Sequence, residues 1–207
     1  MFGKLLSNFR STILLSLVLA GVMIYAFGSV APGGFDLIFW QAVFRWTHVF
    51  AGILWIGLLW YFNFVQIRVA PSIPDELKPA IGKHIAPEAL FWFRWSALAT
   101  VLAGLALAFS RGHAYAVEVL SFGMVQGLTE DQKGFTLMGI GVWLAIIMFL
   151  NVWGVIWPNQ KRALGIVAVE ADAKARAART AMLASRINML LSLPMLTSMA
   201  MYQTLFG

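Results

Sequence analysis

The sequence predicts an all-α fold, a polytopic integral membrane helix bundle, from its composition and from five long apolar windows. Hydrophobic residues make up 60% of the 207 residues and charged residues only 12%, and the mean hydropathy is +0.79. Soluble domains carry about 25% charged residues, so these values exclude a water-soluble globule. Each window is long enough to cross a hydrocarbon core about 30 Å thick. The sequence has no Cys, which excludes disulfides, thiolate metal sites, a catalytic Cys and covalent c-type haem attachment.

The windows predict about five transmembrane helices in one domain that covers residues 1–207. Lys4 and Arg10 precede the first apolar run, which is longer than the apolar region of a signal peptide, so we expect an uncleaved anchor. Four prolines between residues 67 and 88 predict an ordered loop there. An Ala-rich stretch before the fifth window predicts one long helix that continues into it, and Pro194 predicts a kink. The predicted spans are approximately residues 11–30, 40–66, 89–110, 135–157 and 181–206.

The basic residues between the spans predict the orientation of the chain. One side of the membrane receives ten Lys and Arg residues, whereas the other receives only Arg111 and Lys133. Because basic segments are retained on the cytoplasmic side, we expect a cytoplasmic N-terminus. Most of the net charge of +6 is therefore an insertion signal. No nucleic-acid partner is expected, because most of the chain cannot face water.

Polar side chains recur at the cytoplasmic ends of four predicted spans, and we call this group the inner polar layer. Its members are Asn63, Gln66, Glu88, Arg94, Asn151, Asn159, Gln160, Ser185, Arg186 and Asn188. A charged side chain inside a membrane costs at least about 2.5 kcal/mol, which suggests a partner or a task for the arginines. The spacing of Asn188, Ser192 and Met195 predicts that this face of the fifth span points into the bundle.

Two interpretations of the inner polar layer remain open. In the first, the arginines extend towards the membrane surface and the amides cross-link helices. In the second, forked arginine donors and amide side chains bind a flat anionic heterocycle, and neighbouring aromatic rings stack on it.

His48 lies within the second predicted span, about 10 Å from its outer end. A neutral imidazole at this depth is a candidate metal ligand for haem b, and Gly52, one turn away, lets a flat macrocycle approach the backbone. His113 is the only other histidine on the predicted outer side, so it is the candidate second axial ligand. The alternative is a buried histidine that hydrogen-bonds to a neighbour.

Seven stretches carry longer motifs and cover most of the chain between Arg45 and Met199. They are Trp46-Thr47-His48 and residues 52–59, 61–66, 87–95, 151–162, 185–188 and 194–196. In these motifs the chain resembles the membrane domain of the bacterial membrane-bound urate oxidases, also called urate hydroxylases. The resemblance implies oxidation of urate in the bacterial inner membrane, with electrons passed to a c-type cytochrome domain fused at the C-terminus. This sequence has no Cys and only five predicted spans, so we expect a short form that uses a separate cytochrome c or a larger membrane complex.

The leading hypothesis is an oxidoreductase in the lipid bilayer that binds urate or a similar heterocycle in the inner polar layer. Arg94 and Arg186 meet negative charge, and Glu88 is the candidate general base that raises the electron density of the ring. The amides that orient the ring are Asn63, Gln66, Asn151 and Asn188. Haem b near His48 relays electrons outward. The alternative is an accessory subunit, with or without haem, of a larger membrane electron-transfer complex.

Overall fold

The computed structural model describes residues 2–125 and 132–206, and the fold is all-α, as predicted. Helix accounts for 86% of these residues, and none of them lies in a strand. The α-helices are α1 (Phe2–Leu6), α2 (Phe9–Val30), α3 (Leu37–Trp60), α4 (Ile67–Val69), α5 (Lys78–Ala80), α6 (Ala86–Ser110), α7 (His113–Leu120), α8 (Gln132–Asn151), α9 (Trp157–Ala163) and α10 (Ala171–Leu205). The chain divides into two compact units, Met1–Trp46 and Thr47–Gly207.

Four helical stretches of the described residues are long and apolar enough to cross a membrane. They are Phe9–Val30, Leu37–Ser72, Lys78–Ser110 and Gln132–Ala163. Each contains one of the first four predicted spans. The fifth predicted span lies in α10, which is the expected long helix and stays helical through Pro194. Polar residues make α10 less apolar than the other long helices, so its crossing of the membrane stays a prediction.

The loop predicted for residues 67–88 is wrong over most of its length. Helix continues to Ser72 and resumes at Lys78. Pro71, Pro79 and Pro87 each lie in the first turn of a helical segment. For Pro79, at the start of the second stretch, the missing N–H removes no helical hydrogen bond. Pro71 and Pro87 lie within continuous helical stretches, in or next to an irregular 3₁₀- or π-helical turn.

Three π-helical segments interrupt the long helices: Tyr61–Gln66 after α3, Ile81–Ile85 before α6, and Val152–Ile156 after α8. The first contains Asn63 and Gln66, and the third directly follows Asn151. π-Helical turns are rare in proteins, but those that occur often lie at functional sites. The inner polar layer is therefore also the region where the helical geometry is irregular.

The first unit is built around α2. Asn8 caps this helix, because its Oδ1 accepts a hydrogen bond from the N–H of Arg10 at 3.0 Å. Most α2 side chains are exposed, as an apolar helix in lipid requires. Near its C-terminal end, Gly28 lies directly against the rings of Phe35 and Phe39, which leaves no room for a larger residue.

The core of the second unit forms where α3, α6, α8 and α10 contribute buried apolar side chains, among them Trp55, Phe93 and Met148. Small residues let α8 approach α10 closely. A side chain at Gly141 would collide with Ser198, whose Oγ donates a hydrogen bond to the carbonyl of Leu137 at 2.7 Å. Small residues and interhelical hydrogen bonds of this kind are the usual means of helix association in membranes.

Candidate functional site

Two asparagines of the inner polar layer join α8 to α10. Asn151 Nδ2 donates to Asn188 Oδ1 at 2.7 Å and to the carbonyl of Ala184 at 2.9 Å. Asn188 Nδ2 donates to the carbonyl of Met148 at 3.0 Å. The side chain of Asn188 is fully buried. These amides cross-link helices, as the first interpretation of the layer predicts.

Asn63 makes a similar connection between the first π-helical segment and α10. Its Nδ2 donates to Ser185 Oγ at 3.0 Å and to the carbonyl of Leu59 at 2.9 Å. The inward face predicted for the fifth span is confirmed, because Asn188, Ser192 and Met195 are all buried. The donors of Asn63 and Asn151 are engaged within the protein, which leaves mainly acceptor oxygens for a ligand.

Arg94 is the buried cation of the inner polar layer, with 9% of its surface exposed. Its guanidinium carbon lies 3.3 Å from the centre of the Trp157 ring, which is a cation–π contact. Lys161 Nζ lies 5.6 Å from the same ring centre. Within the described part of the chain the one ion pair joins Asp75 and Lys78, so no carboxylate neutralises Arg94 or Lys161. The Nε and Nη1 atoms of Arg94 are buried without a hydrogen-bond partner in the protein.

Other buried polar atoms in this part of the second unit also lack a protein partner. The acceptors are Asn63 Oδ1, Gln66 Oε1 and Gln160 Oε1, and a donor is the indole N–H of Trp153. Buried polar atoms are nearly always hydrogen-bonded, and an unpaired one costs about 1–3 kcal/mol. Together with Arg94, the unpaired atoms include both donors and acceptors.

Aromatic rings hold the segments that carry these atoms. Phe62 packs edge-on against Phe93, with ring centres 5.6 Å apart, and joins the first π-helical segment to α6. Trp95 packs edge-on against Trp153, also at 5.6 Å, and joins α6 to the third π-helical segment. The flat ring of Trp157 is covered on one face by Arg94, which fixes the plane of the guanidinium.

Glu88 and Arg186 do not share the buried position of Arg94. Glu88 is exposed, and one of its oxygens accepts a hydrogen bond from Trp92 Nε1 at 3.1 Å. Arg186 is also exposed. It lies two residues before Asn188, about 200° around α10, and therefore on the opposite side of that helix. The structure brings Asn151 and Asn188 together and buries Arg94, but it leaves Glu88 and Arg186 exposed.

His48 makes one hydrogen bond to a neighbouring helix. Its Nδ1 lies 2.8 Å from the carbonyl oxygen of Thr100. A carbonyl only accepts, so Nδ1 carries the proton in this hydrogen bond, and Nε2 is the nitrogen that can act as an acceptor or ligand. A Cβ atom at Gly104 would lie 2.8 Å from Nδ1, so glycine is needed beneath the ring. A histidine that ligates a metal through Nε2 usually donates its Nδ1 proton to a carbonyl in this way.

The space beside His48 is small. A cavity of about 40 Å³ is lined by His48 and by apolar residues of α6, α7, α8 and α10. His113 is exposed beside the ring of Phe109 and does not line the cavity, so the structure does not place the two histidines on one site. The imidazole of His48 suits a haem ligand, and haem b stays a prediction.

Polar side chains on α7 and next to it were not predicted as functional residues. Arg111 Nη1 donates to the Tyr115 hydroxyl at 3.0 Å, and that hydroxyl donates to Tyr202 at 3.1 Å. Burial, together with the hydrogen bond to Tyr202, raises the pKa of Tyr115 to about 12. Glu118 is only 3% exposed, and its Oε1 has no partner in the protein. The i, i+3 spacing of Tyr115 and Glu118 is the signal, and it is visible only if residues 113–120 are taken as a helix.

Comparison of the chain with known proteins covered family models, curated proteins and solved structures. None of the three gives a match. The resemblance to the urate hydroxylase membrane domain therefore rests on the motifs quoted above.

Proposed function

We propose that the chain is a membrane oxidoreductase that binds urate or a similar anionic heterocycle at Arg94 and passes electrons to a separate c-type cytochrome. The supporting observation is that Arg94 is buried, has no carboxylate partner and has two N–H-bearing nitrogens without an acceptor. A buried charge without a partner is strongly unfavourable. An anion at this position would stabilise the folded chain.

The unpartnered polar atoms of the inner polar layer and of Trp153 favour a ring compound over a simple anion. The amide oxygens of Asn63, Gln66 and Gln160 need N–H donors, whereas Arg94 and Trp153 need acceptors. Phosphate or sulfate supplies acceptors and leaves the amide oxygens unpaired. A urate-like heterocycle carries ring N–H groups and carbonyl oxygens together, so it satisfies both sets.

The same charges explain how the site would promote oxidation. A guanidinium beside the ring favours the deprotonated form of the heterocycle, which is richer in electrons and easier to oxidise. Lys161 adds a second positive charge near Trp157. Fixed donors in a site from which water is excluded act more strongly than the same groups in water.

The proposal is tested by urate binding to the purified protein in nanodiscs and by urate-dependent reduction of added cytochrome c. Arg94→Met removes the charge, Arg94→Lys keeps the charge without the fork, and Arg179→Met is the matched control on an exposed arginine of α10. We expect Arg94→Met to weaken urate binding at least about 10-fold, because hydrogen bonds to charged groups contribute about 1.5–3 kcal/mol. The urate affinity of Arg94→Lys should lie between those of Arg94→Met and the unmodified chain. Arg179→Met should bind urate like the unmodified chain.

Two further measurements complete the test. Arg186→Met decides between the role expected from the sequence, which predicts weaker binding, and its exposed position, which predicts no change. Inorganic phosphate should not compete with urate. A folded chain that shows no saturable urate binding would contradict the proposal.

The second candidate is an accessory subunit of a larger membrane electron-transfer complex. It is favoured by the amide donors of Asn63, Asn151 and Asn188, all of which are used in hydrogen bonds within the protein. In this case the purified chain binds no urate, and native gels of solubilised membranes show it only in a larger assembly. An absorption spectrum of that assembly then decides whether haem b is present, and loss of the Soret band in His48→Ala would assign its ligand.

A further inference from the structure

The cavity beside His48 lies apart from the residues assigned to heterocycle binding. Its wall includes Gly104, Phe109, Ala145 and Met199, and the imidazole of His48 is the one polar side chain that lines it. The Nδ1 proton of that imidazole is used by the carbonyl of Thr100. At most one nitrogen lone pair is therefore available to anything inside.

Such a cavity is too apolar to be filled with water. A volume of about 40 Å³ has room for two or three water molecules, since each needs about 10–15 Å³. A buried water, however, makes about three hydrogen bonds, and cavities that cannot supply them stay dry and bind apolar molecules such as xenon. The wall of this cavity offers a water molecule one acceptor.

We propose that the cavity beside His48 is a binding site for small apolar molecules of the size of dioxygen. The wall supplies dispersion contacts on several sides, which are the contacts that a compact apolar molecule can use. Gly104 lets the imidazole lie close against α6, so the cavity depends on this pair of residues. The end of a lipid acyl chain has the same chemistry, and the test separates the two occupants.

The test uses xenon as the probe and the methyl groups of methionine as reporters, by NMR of the whole chain in lipid nanodiscs. Met199 lines the cavity, Met148 is fully buried elsewhere in the core, and Met201 is exposed on the same helix. We expect the Met199 signal to shift with xenon pressure and to saturate, the Met148 signal to stay fixed, and the Met201 signal to change without saturation. Dioxygen should then cause saturable paramagnetic relaxation at Met199.

Two variants of α6 provide the matched comparison. Ala108→Leu places a side chain in the cavity, whereas Ala106 does not line it, so Ala106→Leu is the control. The saturable shift of Met199 should disappear in the first variant and remain in the second. Unchanged signals of Met148 and Met201 show that a variant is folded. If Ala108→Leu does not fold, Val142→Phe takes its place, because Val142 also lines the cavity.

Two results would overturn the inference. One is a Met199 signal that responds to xenon no differently from Met148. The other is a nuclear Overhauser effect between acyl-chain methyl groups and Met199 that persists under xenon, because lipid would then occupy the site. Neither measurement involves urate, so failure here and failure of the proposed enzymatic activity are distinguishable.

Discussion

His48 and Gly104 fill one space between α3 and α6. The imidazole reaches the carbonyl of Thr100 only because residue 104 has no side chain. The sequence drew attention to His48 as an isolated intramembrane histidine but gave no reason to select Gly104, which lies 56 positions away. Tertiary contacts of this kind cannot be read from local patterns.

Gly104→Ala should therefore destabilise the protein. The new methyl group would lie 2.8 Å from His48 Nδ1, so the ring must move and weaken its bond to Thr100. We expect a loss of about 1–3 kcal/mol in the free energy of unfolding, as for other overpacked sites. Steric trapping in lipid bicelles measures this quantity. The control is Gly57→Ala on α3, where a Cβ meets nothing within 4 Å; a helical Gly→Ala change of that kind stabilises by about 0.5–1 kcal/mol.

The double variant His48→Ala with Gly104→Ala tests whether the collision with His48 causes the loss of stability. Removing the imidazole removes the collision, so the two changes should be strongly non-additive. Additive losses would mean that Gly104 matters for another reason.

At the scale of helices, the pair α8 and α10 shows how polar side chains hold a membrane bundle together. Asn188 receives a hydrogen bond from Asn151 and donates one to Met148, and both helices carry small residues at the contact. Replacing one buried amide leaves its partner unpaired, and this cost is moderate in membranes because the unfolded reference state also finds partners.

Asn188→Ala should lower the free energy of unfolding by about 1–2 kcal/mol. Asn159→Ala is the matched control, because its amide bonds only to the Val155 carbonyl one turn away, and we expect a change within about 0.5 kcal/mol. Both can be measured by the same unfolding assay. Equal effects of the two variants would show that the hydrogen bonds of Asn188 between α8 and α10 contribute no more to stability than a local hydrogen bond within one helix.

Sequence patterns predicted the helices well but predicted their ends and irregular turns poorly. Apolar length located the first four spans, and the 4–3 spacing of Asn188, Ser192 and Met195 correctly identified a buried face. The same helical geometry places Arg186 on the opposite side of α10, so its exposure follows from the spacing. The prolines between residues 67 and 88 were misleading, because a proline in the first turn of a helix resembles a helix breaker in sequence. The π-helical segments leave no signature in hydropathy.

For the whole molecule, helix length relates the inner polar layer to the membrane. A span needs about 20 residues, whereas three of the helical stretches that contribute to the layer contain 36, 33 and 32 residues. Arg94 lies 16 residues from Ser110, and Asn151 lies 19 residues from Gln132. A span of about 20 residues counted from Ser110 or from Gln132 ends close to the layer, so we expect the layer to lie at the edge of the hydrocarbon core. We then expect a water-soluble anion to reach it without crossing the bilayer.

Orientation is the prediction that belongs to this scale. The chain has no Cys, so a single introduced thiol reports its own position. Ala114→Cys and Ala175→Cys place thiols at exposed positions of α7 and α10. With a membrane-impermeant maleimide we expect Ala114→Cys to react in intact spheroplasts and Ala175→Cys to react only after lysis, because the basic segments are retained inside. The reverse labelling pattern would show that the chain has the opposite orientation in the membrane.

The π-helical segments have a consequence for how this chain can change in evolution. A π-helical turn accommodates one residue more than an α-helical turn, so each segment is equivalent to a one-residue insertion. Deleting one residue from Val152–Ile156 would therefore convert the segment to α-helix and leave the helix beyond it in nearly the same orientation. Trp157 would keep its face towards Arg94. In an alignment of descendants, a single gap at this position is therefore compatible with the cation–π contact, whereas a one-residue gap within α8 would rotate everything beyond it by about 100° and remove the contact.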